Sequence, residues 1–148
     1  MATIFTHPII ALGLKPLFST VLNSKAVFWL GMLLTILPDI DVIGLKMGIP
    51  YASLFGHRGF THSLFFAALI AAIISTFLSR RNKANFLASW FYLFLCTASH
   101  GVLDALTNGG HGVAFFSPFT NTRYFFSVTP IEVSTLNMTH FFQGQGGR

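Results

Sequence analysis

Within the seven residues His57-Arg58-Gly59-Phe60-Thr61-His62-Ser63 the chain holds two imidazoles, a guanidinium and two hydroxyls, immediately before a long apolar run. Gly59 permits a tight bend, and Thr61 is a good N-cap for a helix starting at His62, so the two histidines converge from a turn and from a first helical turn. The positive end of such a helix favours neutral His62, the form in which imidazole binds a metal. The chain has four acidic residues, and three of them, Asp39, Asp41 and Asp104, accompany this chemistry. Asp39 and Asp41 stand in Pro38-Asp39-Ile40-Asp41, where an extended backbone would turn both to one side. The competing reading makes Asp39 a helix cap with Asp41 in the first turn, which explains one aspartate better than the pair. His100 and Asp104 are spaced i, i+4, on one helix face. A packing hydrogen bond within a bundle competes for His100, but a carboxylate at a helix C-terminus meets the negative dipole end and calls for a cation. His7 reads as an interfacial residue first and a ligand second, and His111 as either a rim residue or one without a role.

The elements that position these groups belong to a membrane protein. The chain of 148 residues suits one domain, and 53% hydrophobic against 9% charged residues is far from a soluble balance. Formal charge is +5, with basic residues scattered singly apart from Arg80, Arg81 and Lys83, so a nucleic-acid groove is a poor reading and no nucleic-acid partner is expected. Lone Cys96 rules out an internal disulfide and a Cys-based zinc site. No basic residue precedes the first apolar part, so that segment is expected to stay rather than be cleaved as a signal peptide. Residues 4–22 form a weak candidate span interrupted by Pro8, Lys15 and Pro16. The twelve apolar residues from Ala26 to Leu37 reach about 18 Å as a helix, short of a hydrocarbon core of about 30 Å. Pro38 breaks or ends that helix. Leu64–Ser79 and Phe86–Leu106 are the long spans, and the aromatic runs at 114–119 and 121–126 read as an interfacial belt or a re-entrant segment over the site. The fold class is therefore an all-α polytopic bundle of about four spans, with residues 137–148 as a flexible tail.

Alternation of spans brings the clusters together. If Lys25 and the Arg80-Lys83 turn are cytoplasmic, then Asp39, Asp41, His57, His62, His100 and Asp104 all emerge on the other face. Lipid burial of one carboxylate costs about 2.5 to 3.5 kcal/mol, so three without a cation carry a heavy penalty. A divalent ion offsets it. Mixed imidazole and carboxylate donors suit zinc or manganese, with iron also permitted, and six candidates allow one or two ions.

The ordered combination of Pro38-Asp39-Ile40-Asp41, His57-Arg58-Gly59-Phe60-Thr61-His62-Ser63, His100-Gly101-Val102-Leu103-Asp104-Ala105-Leu106-Thr107 and Phe116-Ser117-Pro118-Phe119 resembles the YdjM/YbcI family of inner-membrane proteins classed as metal-dependent hydrolases. The resemblance covers most of the chain. It implies a bacterial or archaeal plasma membrane and a metal-dependent hydrolase, and the family name also records a link with the LexA repressor. The family usually continues into another hydrophobic segment, whereas this chain stops at Arg148. A segment missing there would take a ligand or part of the pocket with it.

The expected function is a hydrolase whose metal activates water against an ester or phosphoester of a membrane lipid or an anionic lipid-linked substrate. Asp39, Asp41, His57, His62, His100 and Asp104 are the expected ligands, with Asp41 also a candidate general base. Arg58, which has only donors, is expected to steady an anionic substrate, or else to pair with Asp39 or Asp41. The alternative is a proton or metal-ion relay built from the same groups. Against that alternative, the polar groups gather at one end of the spans and leave their middles dry.

Overall fold

The computed structural model describes residues 7–19 and 25–132, and these residues form helices without a strand. The expected tail at 137–148 lies outside them. The first helix, α1 (His7–Leu14), carries Pro8 in its opening turn, where a missing N–H costs nothing. It runs into a 3-10 turn at Lys15–Phe18, where Pro16 supplies no helical donor.

The second helix, α2 (Lys25–Leu34), ends as Pro38 dictates. A 3-10 turn at Leu37–Asp41 leads to the short α3 (Val42–Lys46), and the two halves are bent by 44°. The aspartates thus sit on a tight turn rather than on extended backbone. Asp41 occupies the N-cap position of α3 but makes no capping hydrogen bond, so its carboxylate is left for tertiary partners.

Two long helices follow. In α4 (Leu64–Asn82) the cap is Ser63, whose Oγ accepts from the Phe66 N–H at 3.0 Å, and not Thr61 as the sequence led us to expect. The hydroxyl of Thr61 is engaged elsewhere, because His62 closes a 3-10 turn (Phe60–His62) before the helix starts. Lys83 ends α4 in the left-handed region at φ 52°, and Arg80 and Arg81 in the last turn complement the helix dipole. Asn85 caps α5 (Phe86–Ala105), accepting from the Ala88 N–H at 3.0 Å. The two helices pair as a hairpin, tied by Trp90 Nε1 donating to the Ala68 carbonyl at 3.1 Å.

α2 and α1 pack on the same helix α5. Tyr92 is fully buried, and a Cβ on Gly31 would lie 2.5 Å from its ring, so only glycine lets α2 approach this closely. The Tyr92 hydroxyl donates to the Ala11 carbonyl at 3.3 Å, holding α1 in place. By length and apolarity, Leu64–Arg81 and Phe86–Ala105 can each cross a membrane, and the bent pair Lys25–Leu34 with Leu37–Lys46 makes up to three. The expected count of about four spans is thus two to three among the described residues. The difference lies in α1, whose eight described residues reach about 12 Å.

Candidate metal centre

The site forms where the irregular segment 35–63 meets the last two turns of α5. Four atoms converge there: Asp39 Oδ1, His62 Nε2, His100 Nε2 and Asp104 Oδ2, all within 4.8 Å of one another. His100 Nε2 lies 3.3 Å from Asp39 Oδ1 and 3.9 Å from Asp104 Oδ2, and His62 Nε2 lies 3.4 Å and 3.9 Å from Asp104 and Asp39. Each of the four is buried without a hydrogen-bond partner among the described residues. Ligands about 2.0 to 2.1 Å from a tetrahedral ion stand about 3.3 Å apart, so the cage needs only slight contraction to close on one. The donor set fits a divalent cation, which would meet four atoms that lack a hydrogen bond and add positive charge beside two carboxylates.

The groups behind these atoms fix how they point. Pro38 and the 3-10 turn release the Thr35 carbonyl from its helical duty, and His100 Nδ1–H donates to it at 2.7 Å. That bond leaves the lone pair of His100 on the inward Nε2. For His62 the same task falls to Asp41, whose Oδ2 is 3.1 Å from His62 Nδ1. Asp41 is itself held by His57 Nδ1–H at 2.6 Å, by the Arg58 backbone N–H at 3.1 Å and by the Thr61 hydroxyl at 2.6 Å. Asp41, His57 and His62 make a second group able to hold an ion, sharing His62 with the first. Both oxygens of Asp41 are already engaged by hydrogen-bond donors, unlike the free inward atoms of the first group.

Burial pushes the proton affinity of His62 down, but the carboxylates of Asp104 and Asp41 outweigh it and raise the pKa to about 9. Without a metal, then, His62 is not held neutral by a helix N-terminus as expected. The residue lies before the helix, and two carboxylates within 3.4 Å are stronger than a dipole end.

Arg58 is 2% exposed, at φ 60°. Its guanidinium donates to the Gly109 carbonyl at 2.6 Å and to Thr107 Oγ1 at 3.2 Å, and its Nε stands 3.0 Å from Asp104 Oδ2 as a charge pair. It thus locks the loop after α5 onto the site and faces neither Asp39 nor Asp41. Gly101 completes the wall, since a Cβ there would sit 2.8 Å from the His62 carbonyl oxygen.

Comparison with known proteins gives the chain a family. The chain matches the family described as YdjM inner membrane protein over residues 1–147. It belongs to the YdjM family. The inner membrane protein YbcI of Escherichia coli K12 is 37% identical over 144 residues, covering 95% of this chain and 82% of that protein. An uncharacterised protein, YvsG, of Bacillus subtilis 168 is 34% identical over 87 residues, which is 54% of this chain and 51% of its own. No solved structure matches the chain. With its apolar helices, this YdjM-family chain is a membrane protein whose buried polar cluster is able to bind a metal ion.

All six residues singled out by type and spacing meet in one region of this YdjM-family fold. Sequence reasoning missed Thr35, whose role depends on a carbonyl that any residue carries, and Thr107, which accepts from Arg58 and donates to the Asp104 carbonyl at 2.7 Å. His111 lies with the half-buried ring of Tyr51, centroids 4.9 Å apart, and not among the converging atoms. His7 is placed against the site.

Proposed function

We propose that this chain is a membrane-bound metal-dependent hydrolase acting on an ester or phosphoester of a lipid or lipid-linked substrate. The observation that carries this reading is the convergence of four buried ligand atoms from Asp39, His62, His100 and Asp104, none of which has a hydrogen-bond partner among the described residues. In this reading those four hold the ion, zinc or manganese, and Asp41 with His57 orients His62 and tunes its basicity. A bound divalent ion supplies polarisation of an acyl or phosphoryl oxygen and acidification of water. Arg58 acts here as a positioning residue, setting the Asp104 carboxylate and drawing the loop over the site. Phe55, Phe119 and Phe126 are exposed at the site's end of the molecule, Phe119 at 80%, which fits an apolar substrate delivered from the membrane. The bacterial inner membrane is the expected location, with the Arg80-Lys83 turn on the cytoplasmic side.

An ion relay is the second reading, favoured by a row of imidazoles in which His7, His100, His62 and His57 follow one another at centroid distances of 4.0, 4.8 and 5.6 Å. Elemental analysis of the purified protein separates the two. The hydrolase reading expects about one divalent ion per chain, lost in His100→Ala and in Asp104→Ala, with the double variant little worse than the poorer single one. Metal content near zero in the wild type, together with proton flux in liposomes, would replace it with the relay.

A further inference from the structure

His7 is 1% exposed, and neither of its ring nitrogens has a hydrogen-bond partner among the described residues. A neutral imidazole carries one donor and one acceptor, so burying both unpaired is costly unless something else meets them. Its ring stacks on His100 with centroids 4.0 Å apart and planes 18° apart. Its electrostatic neighbours are His100, Asp104, Asp39 and His62, the same four residues whose inward atoms converge. This placement is built into the fold: Pro8 shapes the turn His7 opens, Ala11 is fully buried one turn on, and the Tyr92 hydroxyl grips the Ala11 carbonyl.

We propose that His7 is a fifth ligand of the metal centre, brought by the N-terminal helix against the face of His100. The proposal rests on the metal-centre reading above. Three imidazoles and two carboxylates form an N3O2 set. That set exceeds the four donors of a closed tetrahedral zinc site and suits a five- or six-coordinate ion such as manganese or iron(II), leaving a six-coordinate ion one position for water. His7 stands outside the four residues whose ligand atoms lie within 4.8 Å of one another, so its ring turns out of the face-to-face stack, or α1 shifts, to bring a nitrogen into the cage. The N-terminal helix α1 then has a defined role. It closes the site.

The test uses the full chain in detergent, stripped of metal and titrated with Co²⁺ while its visible absorption is recorded. The wild type should give the weak absorption of a five- or six-coordinate ion. His7→Phe keeps a ring to stack on His100 but offers no nitrogen, so it should lower Co²⁺ affinity at least about tenfold and shift the spectrum to the stronger tetrahedral form. Equal affinity and an unchanged spectrum in His7→Phe would overturn the role of His7 alone. A wild type that takes up no Co²⁺ would overturn the metal centre itself. Should His7→Phe fail to fold, X-ray absorption on the Co²⁺-loaded wild type decides the matter, with three coordinated imidazoles supporting the proposal and two refuting it.

Discussion

The α4–α5 hairpin and the irregular segment 35–63 solve opposite problems. The hairpin satisfies its backbone internally and presents apolar side chains outward, so it needs little from the rest of the chain. Segment 35–63 has only a five-residue α-helix and two 3-10 turns, and its free polar groups are met across the fold: the Thr35 carbonyl by His100, Asp41 by His57, Arg58 and Thr61, and the Leu54 carbonyl by the Phe60 N–H at 2.9 Å. The outward face of the hairpin tolerates change because its exposed apolar side chains, such as Ile73, have no particular partner to lose. Segment 35–63 concentrates charge in a buried space, where each group depends on a particular partner.

That contrast can be broken or sharpened by substitution. The largest effect is expected for Arg58→Ala, which leaves the buried Asp104 carboxylate and the Gly109 carbonyl without their cation and donor. A loss of about 3 to 5 kcal/mol in detergent unfolding is expected, and a change within 1 kcal/mol would show that the site tolerates disruption as the hairpin does. Gly101→Ala comes next. Its Cβ meets backbone rather than a flexible side chain, so His62 must shift, at about 1 to 3 kcal/mol and with weaker metal binding. Wild-type affinity in that variant would mean that the wall between α5 and His62 is not close-packed.

Thr61→Val removes one donor from Asp41 without touching any converging atom. Metal affinity should fall about 10- to 100-fold while the protein remains inserted, as calorimetric Zn²⁺ titration would show.

The acidity of His62 adds a pH dependence. Its folded value of about 9 lies above the ordinary 6.5, so without metal the charged ring stabilises the fold fully below 6.5, and that contribution fades as pH rises through 9. Metal binding runs the other way, because the proton must leave first. Apparent Zn²⁺ affinity should therefore rise about tenfold per pH unit toward 9, and titrations at pH 6, 7 and 8 that give one constant would contradict the raised value. The smallest effect is expected in the hairpin. Ile73 on α4 is 57% exposed and faces outward, so Ile73→Ala should change stability by less than about 0.5 kcal/mol.

Much of this was legible in the linear chain. Sixteen uncharged residues after His62-Ser63 could only be a long helix, Pro38 had to interrupt the preceding one, and the i, i+4 spacing of His100 and Asp104 placed both on one face wherever that helix lay. These features depend on local sterics and on apolarity, which act over a few residues and need no partner. The tertiary structure decided the rest. It set which carboxylate atoms stay free and which are tied up, assigned the α4 cap to Ser63 rather than Thr61, turned Arg58 toward Asp104, and pressed His7 against His100. Each of these outcomes is a choice among polar partners far apart in sequence. In a buried space a hydrogen bond or charge pair is worth enough to override local preference, and only the packing of the helices determines which partners come within reach.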